Sequence, residues 1–131
     1  MRILIKIMFV CHGNICRSTM AEFVMKDLVR KAGLADKFII NSSATSREEI
    51  GNDIYPPTKR KLKEKGIPFS RHYARQATMS DYLSYDYLIC MDENNMRNLN
   101  RMFNNDPDHK IYKLLSRDVS DPWYTNDFET A

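Results

Sequence analysis

Residues 3–18 read Ile3-Leu4-Ile5-Lys6-Ile7-Met8-Phe9-Val10-Cys11-His12-Gly13-Asn14-Ile15-Cys16-Arg17-Ser18, and their order decides the fold. The near-continuous apolar run 3–10 suits a central parallel strand covered on both faces, where alternation with polar residues is lost. Lys6 interrupts it and no small-residue cleavage site follows, so it is not read as a signal peptide. Its eight or so apolar positions also fall far short of the roughly 20 needed to span a bilayer. Beyond Ser18, apolar residues recur at Ala21, Met25, Leu28 and Ala32, a helical spacing, and Gly33 stands where a helix C-terminus wants a left-handed residue.

The same alternation continues along the chain. Phe38-Ile39-Ile40 predicts a second strand, followed by a polar loop from Asn41 to Asp53. Pro56 and Pro57 open a helix running through Lys59 to Lys65, because the first turn needs no amide donors there, and Gly66 closes it. Thr78 with Asp81 forms a capping pair for a short helix. Tyr87 to Met91 predicts a third strand, Asp92 to Phe103 a helix and Ile111 to Leu115 a fourth strand. Strand and helix in repetition imply right-handed crossovers, hence an α/β fold: a four-stranded parallel sheet flanked by helices on both faces. Ligand sites in such sheets lie beyond the carboxyl ends of the strands, and Cys11 follows the first such end.

Composition sets the outer limits. The 131 residues, 43% hydrophobic and 28% charged, predict one compact domain spanning 1–131. Twenty basic against seventeen acidic residues leave a net charge of +3, too small and too scattered to indicate nucleic acid. Three cysteines, Cys11, Cys16 and Cys90, argue against a secreted disulfide framework and for a reducing compartment, the cytosol. The run Lys59 to Lys65 reads as the solvated face of a helix.

Chemistry concentrates in Cys11 to Ser18. Lying between a strand and a helix, the backbone amides of His12, Gly13, Asn14, Ile15, Cys16, Arg17 and Ser18 can converge with the helix N-terminus on one tetrahedral anion. Gly13 and Asn14 are residue types that tolerate the left-handed backbone such a nest requires. Arg17 adds a planar fork of donors matched to phosphate oxygens. Cys11 is then the nucleophile. A free thiol with pKa about 8.5 is only a few per cent ionised at neutrality, and lowering that by three units takes roughly 4 kcal/mol. A helix terminus supplies at most about 2 kcal/mol, so Arg17, the loop amides and the Ser18 hydroxyl must contribute. An acid is also needed to protonate the departing oxygen. Asp121, in Asp121-Pro122-Trp123-Tyr124 after the last strand, is the first choice and Asp118 the fallback. Trp123 and Tyr124 line the mouth.

These residues resemble the low-molecular-weight protein tyrosine phosphatases. The resemblance rests on CHGNICRS after a hydrophobic strand, then Thr19 to Glu22, Ser42 to Ser46, Glu49 to Gly51, His72, Ala74 to Gln76, Asp86 to Asp92 and Asp121 to Tyr124, covering nearly the whole chain in order. It implies a metal-free, cofactor-free hydrolysis of phosphotyrosine and aryl phosphates in two steps through a phosphocysteine. By position, Cys11 is the nucleophile, Arg17 the phosphate clamp and Asp121 the acid and then base. Ser18 donates to the Cys11 sulfur, and Asn14 braces the loop through bonds shared with Ser42 and His72. The implied partners are phosphotyrosine-containing proteins, with inorganic phosphate as product, no nucleic acid or membrane, and a monomeric state.

The sequence departs from that pattern at several points. Thr19 replaces the usual proline after the loop serine, and Glu48, with Arg47 beside it, replaces an aromatic in the substrate-facing loop. Relatives continue for a further helix past the segment matching Asp127-Phe128-Glu129, so a domain lacking the C-terminal helix is expected. Cys16 is either a small packed side chain or a redox partner that forms a reversible disulfide with Cys11, and the resemblance favours the latter. Zinc binding by Cys11, His12 and Cys16 lacks a second ligand pair. His72 reads as a loop brace. Two competing functions remain: an arsenate reductase of the same fold, which has only mid-strand Cys90 as a relay thiol, and a catalytically silent phosphate-binding module.

Overall fold

The computed structural model describes residues 4–120; Asp121, Trp123 and Tyr124 therefore lie outside the described residues. Four strands, β1 (Ile5–Cys11), β2 (Phe38–Ala44), β3 (Tyr87–Cys90) and β4 (Ile111–Lys113), form one sheet in the order β2-β1-β3-β4. Every pairing is parallel, with Cys11 opposite Ala44 on one side of β1 and Val10 opposite Cys90 on the other. The helices are α1 (Arg17–Lys31), α2 (Pro56–Glu64), α3 (Met79–Ser84) and α4 (Glu93–Met102), with a short 3-10 turn at Ala35–Lys37.

The strand–helix alternation expected from the sequence is present, and β1 is apolar apart from Lys6 near its start because both faces are covered. Met8 and Val10 point into a core with Tyr82, Tyr85, Leu88, Leu99, Phe103 and Ile111. Ile7, Phe9 and Cys11 point the other way, among Val29, Ile40, Met91 and Val119. A satellite cluster of Phe23, Ile54 and Leu62 ties α1 to α2. Capping follows the residue types. Thr78 and Asp81 close a reciprocal capping box on α3, and the Asp92 carboxylate accepts from the Asn95 amide at the start of α4.

Two expectations need correction. The apolar stripe of α1 laid against the sheet is Ala21, Met25 and Val29, the first two partly buried, whereas Leu28 is 57% exposed. Steps of four residues track the face laid on the sheet, and 28 falls one position off it. The second strand does not end at Ile40 but continues through Asn41-Ser42-Ser43-Ala44. Ser42 and Ser43 are buried in it despite their polarity, and Ser42 finds hydrogen-bond partners on α1 and in the loop after β1.

The crossover from β1 leads to β2 on one side, while β3 flanks β1 on the other. The sheet order thus reverses at β1, and its carboxyl end opens on the crevice where open parallel sheets hold ligands. Cys11 is the last residue of that strand.

Candidate active site

From Cys11 the chain turns through residues 12–16 and enters α1 at Arg17. The carbonyls of this turn are pinned to neighbouring segments. Cys11 and His12 carbonyls accept from the Thr45 and Ser46 amides, Ile15 from the Tyr55 amide and Cys16 from the Met20 amide. The Asn14 carbonyl accepts from His72 Nε2 at 2.7 Å, which fixes the proton on that ring nitrogen. In a planar trans peptide the next N–H points opposite to the carbonyl. The amides of His12, Gly13, Ile15, Cys16 and Arg17 therefore face into the ring that the pinned carbonyls face out of.

Asn14 takes the left-handed backbone expected of it, with φ 61°. Gly13 does not. Its glycine answers instead to a close approach, since a Cβ there would sit 3.3 Å from Glu49 Cγ. Nor is the absent proline at 19 without substitute. The Thr19 hydroxyl donates to the Cys16 carbonyl at 2.8 Å and so fastens the first turn of α1 to the loop.

The Cys11 sulfur is buried within this ring, 3.3 Å from the Asn14 amide that donates to it and 3.1 Å from Ser18 Oγ. Asn14 Nδ2 donates to both Ser18 Oγ, at 2.8 Å, and Ser42 Oγ, at 2.9 Å. Sequence and structure thus bring Cys11, Asn14, Ser18, Ser42 and His72 into one cluster. His72 is further held by Asp53, which accepts from its amide and from Ile54 and pairs with Lys59 and Arg71. Burial would raise the Asp53 carboxyl, but the Lys59 ammonium and the two amides outweigh it and hold the group well below the usual carboxylate range.

Arg17 is buried at the first turn of α1, and its Nη1 donates to Asp92 Oδ2 at 2.7 Å and to the Val119 carbonyl at 2.9 Å. Asp92 is the residue that sequence reading missed as a site member. Its N-cap position was legible, but only the β1–β3 pairing, which sets the two strand ends side by side, brings its second oxygen to the guanidinium. Glu22 was missed likewise. It is buried one turn into α1, where one oxygen accepts from Ser42 Oγ at 2.5 Å and the other pairs with Lys26.

The mouth is charged. His12 Nε2 lies 3.0 Å from Glu48 Oε2, and Ser46 Oγ donates to the His12 carbonyl, so the 46–48 segment is stitched to the loop. Cys16 is buried and accepts from Thr58 Oγ1 at 3.1 Å; neither it nor Cys11 is in a disulfide. Cys90 is fully buried in β3, and burial pushes its thiol up to about 12, so it is neither accessible nor ionised as a relay thiol must be. Asp118, the fallback acid, accepts from Lys113 Nζ and the Glu93 amide. The Lys113 ammonium holds its carboxyl below the ordinary value, the opposite of what a proton donor needs.

Comparison with known proteins agrees with this geometry. The family model for low molecular weight phosphotyrosine protein phosphatase matches residues 6–130. The human low molecular weight phosphotyrosine protein phosphatase is 44% identical, over 95% of this chain and 85% of the relative. Among solved structures, a low molecular weight protein tyrosine phosphatase from Streptococcus pyogenes superposes with a TM-score of 0.91 at 45% identity, covering 97% of this chain and 83% of that one. YfkJ from Bacillus subtilis superposes with a TM-score of 0.93 at 38% identity, over 97% and 84% respectively.

Proposed function

The chain belongs to the low molecular weight phosphotyrosine protein phosphatases, and we propose that it hydrolyses phosphotyrosine in proteins, and aryl phosphates generally, through a phosphocysteine. The observation that carries this reading is the buried Cys11 sulfur set in a ring of inward-facing amides at the N-terminus of α1. Three non-bridging phosphate oxygens fit that ring, with the macrodipole and Arg17 opposing their charge. The phosphorus is then presented to the sulfur.

In the first step the Cys11 thiolate attacks phosphorus and the aryl oxygen leaves with a proton from Asp121. In the second, the Asp121 carboxylate takes a proton from water, which attacks phosphorus and expels the thiolate, releasing inorganic phosphate. Ser18 Oγ, 3.1 Å from the sulfur, stabilises the thiolate before the first step and after the second. Trp123 and Tyr124 from the same segment, with Glu48 on the 46–48 side, would receive the ring and its flanking peptide. Cys16 would resolve oxidised Cys11: peroxide converts the thiolate to a sulfenic acid, and the Cys16 thiol displaces water to leave a disulfide that cellular thiols reduce. A reducing cytosol is the setting this chemistry needs.

The test is turnover of p-nitrophenyl phosphate in the presence of EDTA. Wild type should hydrolyse it and Cys11→Ser should not; continued turnover by that variant removes Cys11 from the mechanism. Asp121→Ala should slow poor leaving groups far more than good ones, and equal slowing reassigns the acid.

A further inference from the structure

The second half of α1 presents more than the stripe laid against the sheet. Phe23, Lys26, Asp27 and Arg30 follow one another at steps of one, three and four, so they share the face turned away from Ala21, Met25 and Val29. Opposite this face runs the chain after α2. There Pro68 makes a stiff wall, and Phe69 meets Phe23 with ring centroids 6.4 Å apart and planes at 69°. Two rings at that angle form a corner instead of a sandwich. The cleft between helix and segment has a volume of about 340 Å³. An apolar cavity of roughly 150 Å³ holds one benzene ring, so this cleft has room for two fused rings.

The rim of the cleft is cationic. The paired charges along this stretch are Lys26, Arg30 and Lys31 against the carboxylates of Glu22 and Asp27, three against two. Both carboxylates are withdrawn, with side chains 7% and 6% exposed, whereas the three cations are 42%, 58% and 64% exposed. Solvent therefore meets positive charge. Asp27 also lines the cleft, but one of its oxygens is taken by Arg30 and the other by Lys31. Arg30 reaches Asp27 through Nη2, and the rest of its planar fork of donors remains for a second acceptor. Lys26 lies 5.2 Å from the centre of the Phe23 ring, which sets its ammonium over the aromatic floor.

We propose that this cleft is a ligand site separate from the cysteine loop, and that its ligand is a flat aromatic carboxylate. The rings enter the corner of Phe23, Phe69 and Pro68, and the carboxylate accepts from Arg30 and Lys26 at the rim. Apolar walls with a few convergent polar groups are the ordinary composition of a small-molecule site. A neutral ring compound fills the walls and forgoes the cations; acetate does the reverse. Arg17 begins α1 at the loop, and at about 1.5 Å per residue Phe23 and Arg30 lie about 9 and 20 Å further along the axis. A ligand held there leaves the anion cradle open.

The experiment is a titration of isotope-labelled protein with 2-naphthoate, followed by amide shifts in nuclear magnetic resonance spectra. Residues 23–31 and 67–71 should shift and saturate with a dissociation constant of about 1 mM, an ordinary efficiency for a ligand of about a dozen non-hydrogen atoms. The uncharged 2-naphthamide, of nearly the same shape, should bind about fivefold more weakly, the scale of an exposed charge pair. Arg30→Gln should weaken naphthoate by about fivefold and leave naphthamide unchanged. Asp27 keeps Lys31 in that variant, so its buried carboxylate is not stranded. Shifts confined to residues 12–18, or no saturation at either segment by about 20 mM, overturn the site. Equal affinity for acid and amide in wild type overturns the anionic ligand, as does an Arg30→Gln that leaves naphthoate binding unchanged or weakens both compounds alike. The comparison of acid with amide needs no substitution, so it decides even where Arg30→Gln does not fold.

Discussion

Asp92 carries two loads on two oxygens, and substitution can separate them. Oδ1 accepts from the Asn95 amide and caps α4, while Oδ2 accepts from Arg17 Nη1 at 2.7 Å. The Arg17 side chain is 4% exposed and the Asp92 side chain 20% exposed. Removing one partner of a buried ion pair costs about 3–5 kcal/mol, because the other charge is stranded. Partial exposure of Asp92 and the remaining Val119 carbonyl on Nη1 favour the low end, about 3 kcal/mol. Loss of an N-cap adds about 1 kcal/mol. Asp92→Ala loses both and should cost roughly 4 kcal/mol. Asp92→Asn retains one acceptor oxygen and should cost about 1 kcal/mol less, the worth of the cap. Urea unfolding followed by circular dichroism at neutral pH reads both, provided the denaturant slope is unchanged. Turnover of p-nitrophenyl phosphate should fall by about 10²-fold in each, since Arg17 is no longer held in place. Equal stability of the two variants, or a cost below about 1 kcal/mol for Asp92→Ala, would refute the reasoning.

Asn14→Gly keeps the left-handed backbone but loses three side-chain hydrogen bonds, and it should destabilise by about 2–3 kcal/mol in thermal unfolding. Asn14→Ala should be worse by about 1 kcal/mol, because alanine resists the positive φ. Gly13→Ala, by contrast, is tight only against the flexible Glu49 Cγ, with Ile15 Cγ1 at an ordinary 3.8 Å, and should cost under about 1 kcal/mol; a larger loss would show that the loop cannot shift there. For Asp53 the folded carboxyl is depressed, so its stabilisation is full above the unfolded value of about 3.9 and is lost as pH falls through the folded one. The stability gap between wild type and Asp53→Asn should therefore be flat above about pH 5 and close below pH 4, as followed by urea midpoints across pH. A gap that widens on acidification contradicts the assigned pairing.

What could be read from the residues alone, and what could not, divides along sequence separation. The apolar run before Cys11, the proline pair that opens α2 and the Thr78–Asp81 box are local signals, and the elements follow them. The glycine-asparagine step marked the turn, although only Asn14 takes the left-handed backbone. The extension of β2 through Ser42 and Ser43 was illegible because both are buried despite their polarity, and the Ser42 hydroxyl answers to partners brought in by α1 and the loop, not to strand periodicity. In the sequence Asp92 only opens an expected helix, and Glu22 falls inside another without a role. Their places at the site arise from register: β3 beside β1 in one case, α1 laid over β2 in the other. A pattern in one dimension holds the chemistry of the cysteine loop but not the scaffolding around it.

The outward anchoring of five loop carbonyls to residues 20, 45, 46, 55 and 72 has a thermodynamic corollary. A cradle whose peptide planes are already clamped loses little conformational freedom when an anion arrives, so capture is not taxed by ordering of the backbone. Oxyanions of the same shape but different central atom should accordingly be held in one pose, and what separates a substrate from an inhibitor is whether the central atom can let go of the sulfur.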